Sequence, residues 1–236
     1  MSKWLMTILF LLVSTILSHW LPFSSFFRNV DTMIHEFGHA VVTLLLSGKV
    51  LYIYLFADHS GITLSAVDNG WRVIPVAFSG YMTASLFALY LFRAYRRGHQ
   101  KRGLAVITLL CVISLVFFVR NGFGILWLLG FMAVNVLVII LAGSTLRNIY
   151  FLFVAFLTLE ESVFGPLSLL IASFQAPEQA GDASTLARIT GLPAAVWAAL
   201  FTLFALYCAK NALLKFFDAR GGRRSRHPSS VGYEAD

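Results

Sequence analysis

Long runs of apolar residues are the feature that most restricts how this chain can fold. Several runs reach the roughly 18 residues that indicate a membrane-spanning helix, because about 20 residues cross the hydrocarbon core of a bilayer. Apolar segments lie at about residues 4–22, 30–47, 72–92, 103–120, 123–142, 148–173 and 192–216. Only 12% of the residues are charged, against about a quarter in soluble domains. The sequence therefore predicts a polytopic membrane protein and excludes an ordinary soluble domain.

The second apolar segment, at about 30–47, is short for a complete crossing of the bilayer. After it come "VLYIYLF", the turn-like "ADHSG" and "ITLSAV", a pattern that predicts a β-hairpin. Non-helical backbone at membrane depth must be shielded by protein or line a wet cavity, so we expect the hairpin at the interface or beside a cavity. The predicted fold is all-α and polytopic, with about six to seven transmembrane helices and this short membrane-associated hairpin.

Basic residues are concentrated in two clusters that adjoin apolar segments, at 93–102 and 210–226, and the net charge is +7. The positive-inside rule explains clusters in such positions, so we expect no nucleic-acid partner. We predict an integral membrane domain over residues 1–217 and a basic, disordered cytoplasmic tail over 218–236.

The segment "DTMIHEFGHAVV" places two histidines and a carboxylate within a mostly apolar stretch. His35 and His39 are four residues apart, so on a helix both imidazoles lie on one face and can bind one metal ion. Glu36 lies beside them and can act as a base toward an attacking water. Intramembrane ionisable groups are costly, which favours a functional site. The alternative is an interfacial helix start whose polar residues, aided by Asp31, face water.

A catalytic zinc site needs a third protein ligand and an open position for water. The sequence offers Glu160 and Glu161 in "FLTLEESVFGP", and Asp182. Two adjacent acids in an apolar segment demand a partner such as a metal, a cation or a water cavity. Their alternative explanation is a helix break at Gly165–Pro166 that exposes them to water. Asp182 also fits a helix N-cap before "ASTLARIT". The residues alone leave the third ligand open.

The motif "HEFGHA", followed by "SGKV" and the hairpin's "SGIT", resembles the site-2-protease class of intramembrane metalloproteases. The later "GDASTLARITGLPAAVWAALF" is similar to a stretch of the M50B-like peptidase family. Site-2 proteases take a ligand from an "LDG"-like motif, which is missing here. The M50B-like pattern has an acidic residue in the sixth apolar segment, and loose alignment favours Glu161.

The resemblance thus implies an intramembrane zinc metalloendopeptidase with one Zn2+ per chain. Its metal ligands would be His35, His39 and Glu161, with Glu160 and Asp182 as alternative third ligands, and its catalytic base would be Glu36. It also implies a membrane-protein substrate that is unwound within the lipid bilayer and held by strand addition to the hairpin. A regulatory partner would be a separate protein. The expected location is a bacterial cytoplasmic membrane, as an integral multi-pass protein.

Two other functions use the same residues. In a non-catalytic metal-binding adaptor the histidines would hold a structural ion, but a site made only of ligands has no need of Glu36. In a small cation transporter the histidines and the acids Glu36, Glu160 and Glu161 would form a cation path. The inverted repeat that many transporters carry is not seen in this sequence.

Overall fold

The computed structural model of the protein describes residues 24–68 and 70–224. Within them, the helices are α1 (Ser24–Leu45), α2 (Val73–Arg96), α3 (Gln100–Phe117), α4 (Gly122–Leu141), α5 (Ser144–Gln175), α6 (Gly181–Thr190) and α7 (Ala194–Arg224). The strands are β1 (Lys49–Leu55) and β2 (Gly61–Ala66), and a short 3-10 turn, Pro177–Gln179, precedes α6. The predicted apolar segment at 4–22 lies outside the described residues. Helix α7 continues through Arg224, past the predicted domain boundary at residue 217.

Five of the described helices are long and apolar enough to cross a membrane: α2, α3, α4, α5 and α7. Large apolar side chains such as Leu126, Ile140 and Leu141 of α4 are more than 70% exposed on the outside of the bundle. In a bilayer these surfaces face lipid tails, which solvate them as well as a protein core would. The predicted all-α polytopic fold is confirmed, and the protein is an integral membrane protein.

Helix α1 lies in the centre of the bundle. Val30, Met33 and Ile34 are each no more than 1% exposed and pack into the main apolar core. Its close approach to α2 depends on Gly38, where an added Cβ would lie 2.7 Å from Thr83 Oγ1. Small residues allow membrane helices to pack this closely. The centre of the bundle therefore holds the helix that carries the histidine motif.

Helix α5 runs without interruption from Ser144 to Gln175 and contains Pro166 in its interior. The predicted alternative of a break at Gly165–Pro166 is therefore wrong. Proline is tolerated inside membrane helices because neighbouring groups can satisfy the backbone groups that it frees. The two acids of α5 consequently stay within the bundle.

The predicted β-hairpin is confirmed as the antiparallel pair β1–β2, in which Ile53 lies opposite Thr63. Strand β1 is covered on its other edge by the α3–α4 connection. The Ile53 N–H donates to the Phe118 carbonyl at 2.9 Å, and the Arg120 N–H donates to the Ile53 carbonyl at 3.2 Å. Asn121 adds two hydrogen bonds to the backbone of Leu55. The hairpin is thereby anchored through β1, and β2 is its outer strand.

Candidate metal centre

The two histidines of the H-E-x-x-H motif lie on one face of α1, as their spacing predicts. His35 Nε2 and His39 Nε2 are 3.0 Å apart. Helix α2 passes directly over them at Gly80, where an added Cβ would collide with both imidazole rings. Only glycine fits this position without moving a histidine.

The orientation of His39 is fixed from α2. Its Nδ1 donates a hydrogen bond of 2.7 Å to the carbonyl of Val76. Ser79 Oγ lies 3.3 Å from the same nitrogen. Because a carbonyl can only accept, Nδ1 carries a proton, and Nε2, which faces His35, is the ring nitrogen available to a metal ion. A backbone carbonyl behind the ring is the usual second partner of a metal-binding histidine.

Asp182 completes the cluster. Its Oδ2 lies 3.3 Å from His35 Nε2 and 3.3 Å from His39 Nε2. The three ligand atoms all lie within 4.8 Å of one another. Burial raises the pKa of this carboxyl, but the charge of His39 and hydrogen bonds from both imidazoles outweigh it, so the pKa lies below the usual range. A metal ion bound here would take the place of these imidazole protons, because metal binding requires neutral imidazoles and an ionised carboxylate.

Asp182 reaches this position because α6 docks on α7 and α2. Ala180, Ala183 and Leu186 are fully buried in an apolar cluster that also contains Phe201 of α7. The N-cap of α6 is Ala180, and no side chain caps it. The predicted N-cap role of Asp182 is therefore wrong: the residue lies in the first turn, with its carboxylate turned toward the imidazoles.

The two acids of α5 meet a cation of α1. Arg28 Nη2 donates to Glu160 Oε1 at 3.3 Å, and Arg28 Nε lies 3.1 Å from Glu161 Oε1. Of the partners predicted for adjacent intramembrane acids, both acids have a cation, and Glu161 also lines the cavity that contains the histidines. Glu161, the favoured third ligand, is not grouped with His35 and His39, because α5 packs so that its acids face Arg28, two turns before His35.

Glu36 is 5% exposed and is held by the hairpin. Thr63 Oγ1 donates to Glu36 Oε2 at 2.6 Å. At Gly61 an added Cβ would lie 2.6 Å from Glu36 Oε1, so the glycine leaves room for the carboxylate. Since α1 begins at Ser24 and both Glu36 and His39 are buried, the alternative of a helix start facing water is wrong.

A cavity of about 690 Å³ connects these groups. Its lining includes Asp31, His35, Glu36, His39, Tyr81 and Asp182, together with strand β2. The Tyr81 ring packs edge-on against His35, with ring centroids 4.4 Å apart. Tyr81 had no signal in the sequence, because it stands in no recognisable motif. Thr63 is the last residue of "SGIT", but nothing in that motif indicated a contact with Glu36. Their places beside the site follow only from the hairpin and α2 both packing against α1.

The cluster fits a zinc ion by geometry and by donor type. Tetrahedral zinc with bonds of about 2.0–2.1 Å holds its ligand atoms about 3.3–3.4 Å apart. The observed separations of the two Nε2 atoms and Oδ2 are 3.0, 3.3 and 3.3 Å. Two imidazoles and one carboxylate form a typical three-residue set for catalytic zinc, with the fourth position left for water. His35, His39 and Asp182 are thus a candidate metal centre.

One of three comparisons with known proteins found a match. The family model described as Peptidase M50B-like matches residues 3–212, which span the histidine motif, the hairpin and Asp182. No curated protein and no solved structure matches the chain.

Proposed function

The chain belongs to the Peptidase M50B-like family, and from that membership we propose that it is a zinc-dependent intramembrane endopeptidase of a bacterial cytoplasmic membrane. Its substrates would be other membrane proteins, cut in or near their transmembrane segments. Family membership and five apolar helices support a membrane protease. Zinc, the residue roles and the substrate class are our proposals.

One observation carries the proposal: His35, His39 and Asp182 converge beside Glu36, inside a bundle of membrane helices. The three ligands come from two elements that are far apart in sequence, α1 and α6. A zinc ion bound there would supply a Lewis acid that polarises a peptide carbonyl and makes water more acidic. The spacing and donor types of the cluster support this role.

Glu36 is the proposed general base and general acid. Its carboxylate takes a proton from the attacking water as the new C–O bond forms, and passes that proton to the departing amine as the C–N bond breaks. Thr63 holds Glu36 Oε2 in place by donating a hydrogen bond of 2.6 Å. We assign to Tyr81, which lines the cavity edge-on to His35, the stabilisation of charge that develops on the carbonyl oxygen, since its phenol is a hydrogen-bond donor.

The cavity provides for water and for an extended substrate. Peptide bonds within a helix are shielded by their own hydrogen bonds, so a transmembrane substrate must unwind before water can attack. Strand β2 lines the cavity through Gly61, Ile62, Thr63 and Ser65. Since the backbone groups of Ile53 point away from β2, its antiparallel partner Thr63 directs its own N–H and carbonyl away from β1. An unwound substrate can pair with these groups as a third strand.

Replacing Thr63 by proline tests the strand-addition role. Proline removes the outward N–H of an edge position without removing a β1–β2 hydrogen bond. We expect kcat/KM for a transmembrane substrate to fall about two- to twelve-fold further than in Thr63→Val, since one hydrogen bond is worth about 0.5–1.5 kcal/mol. Thr63→Val is the matched control, because it also loses the hydroxyl bonded to Glu36 but keeps the N–H. Equal losses in the two variants would exclude pairing at Thr63.

Metal removal tests the proposed function itself. The purified chain, reconstituted in liposomes with a model single-span substrate, is expected to cleave it, to lose this activity on treatment with a zinc chelator, and to regain it with about one equivalent of Zn2+. Metal flux across the same liposomes is measured in parallel. Bound zinc without cleavage would favour the adaptor function, and chelator-sensitive flux without cleavage would favour the transporter; either result overturns the protease.

A further inference from the structure

A cleft lined by basic side chains lies at the other end of α2 from the metal centre. It has a volume of about 500 Å³ and is lined by Arg93 and Arg96 of α2, by Arg97 directly after that helix, and by Lys215 of α7. The nearest described acid is Asp218, whose Oδ2 is 3.8 Å from Arg96 Nη1, with both side chains about half exposed. An ion pair this exposed is weak. With four basic side chains and one acid, the cleft keeps a strong excess of positive charge.

The cleft lies at the boundary of the membrane. Arg93 and Arg96 stand in the last turn of one candidate span, and Lys215 lies near the end of another. From Val76, beside the metal centre, to Arg93 the helix rises about 25 Å at 1.5 Å per residue. The basic cleft is therefore at the opposite side of the bilayer from the catalytic cavity and takes no part in it.

An apolar strip leads from the bilayer toward these cations. Leu86 is 52% exposed on α2. Because residues at spacings of 7 and 11 return to the same face of a helix, Leu86, Arg93 and Arg97 share one face. Tyr90 lies between them and is partly buried. The surface thus changes from apolar to cationic along one helix, in the direction from the membrane interior to the headgroups.

An apolar surface followed by a cationic one matches the shape and charge of an anionic phospholipid. Its acyl chains would lie along the apolar strip, and its phosphate would lie at the cationic end. Guanidinium groups present paired N–H donors that suit phosphate oxygens. Basic residues that only set the orientation of a membrane protein can each point into water. Here the four basic side chains line one cleft. Their mutual repulsion is relieved if an anion binds between them. A free phosphate would satisfy the charges but would gain nothing from the apolar strip.

We propose that the cleft of Arg93, Arg96, Arg97 and Lys215 is a binding site for the phosphate headgroup of an anionic phospholipid. The site is independent of the proposed protease function. Its ligand is a lipid that carries net negative charge, as phosphatidylglycerol does, and the neutral phosphatidylcholine is expected to bind more weakly.

The test is a titration of the detergent-purified full chain with phosphatidylglycerol, phosphatidylcholine or inorganic phosphate, with bound molecules counted by native mass spectrometry. We expect saturable binding of phosphatidylglycerol in preference to the other two. The double variant Arg93→Gln/Arg97→Gln is expected to bind it about 30-fold more weakly, since each basic residue near an anionic lipid contributes about a five-fold factor. Both side chains are exposed, so the fold should be retained.

Lys49→Gln/Arg72→Gln is the matched control. It removes the same charge from exposed or partly exposed positions, one at the start of the hairpin and one directly before α2, on the opposite side of the bilayer from the basic cleft. We expect less than about a two-fold change in phosphatidylglycerol affinity, far below the roughly 30-fold loss expected when two basic residues beside the lipid are removed. Equal loss in both double variants would mean non-specific attraction and would overturn the site. Equal binding of inorganic phosphate and phosphatidylglycerol would overturn its assignment to a lipid.

Discussion

Glu36→Gln is expected to abolish peptide hydrolysis while the chain keeps its metal. Glutamine has the same shape but cannot take a proton from water, and a general base contributes about 10²–10⁴-fold to the rate. His35, His39 and Asp182 are unchanged by the substitution, and Glu36 is not among the three clustered ligand atoms. Cleavage of a transmembrane substrate in liposomes and zinc content per chain, measured on one preparation, provide the two readouts.

Glu178→Gln is the matched control for this experiment, because it makes the same change at an exposed residue of the 3-10 turn before α6. It should have wild-type rate and wild-type zinc. Full activity in Glu36→Gln would exclude Glu36 as the base. Loss of zinc together with activity would mean that Glu36 is needed for the metal centre itself and would contradict the role proposed for it.

Asp182→Asn is expected to lose zinc, whereas Glu161→Gln is expected to keep it. The neutral amide of Asn is a much poorer metal ligand than a carboxylate. Loss even of a residue that only orients a ligand costs about 10–100-fold in metal affinity, so loss of the ligand should cost more. Zinc affinity is measured by competition with a chelator of known affinity, alongside a thermal unfolding scan of each variant.

The two variants are also expected to differ in stability. Glu161 lies against Arg28, so Glu161→Gln weakens an ion pair in the bundle and should lower the unfolding temperature without removing the metal. Asp182→Asn should lose the stabilisation that zinc adds, and excess Zn2+ should restore part of it. If Glu161→Gln loses zinc and Asp182→Asn retains it, the third ligand is Glu161 of α5 and not Asp182.

The sequence alone predicted those features of the fold and site that depend on interactions between residues close together in the chain. Apolar runs long enough to cross a bilayer predicted α2 to α5 and α7, since a membrane leaves the backbone few alternatives to a helix. β-branched and aromatic residues around "ADHSG" predicted the hairpin. His35 and His39 could be paired from their spacing because one helical turn separates them. Each of these predictions depends on residues close together in the chain.

The third member of the cluster was decided by tertiary packing alone. Glu160, Glu161 and Asp182 are all far from His35 in sequence, and no periodicity relates them to it. Which acid reaches the histidines depends on how α5 and α6 pack against α1 and α7. The packing places Arg28 opposite both acids of α5 and docks α6 through its alanines so that Asp182 faces the imidazoles. An arginine two turns before His35 was one sequence signal for this outcome, because a cation inside an apolar segment requires acids as partners.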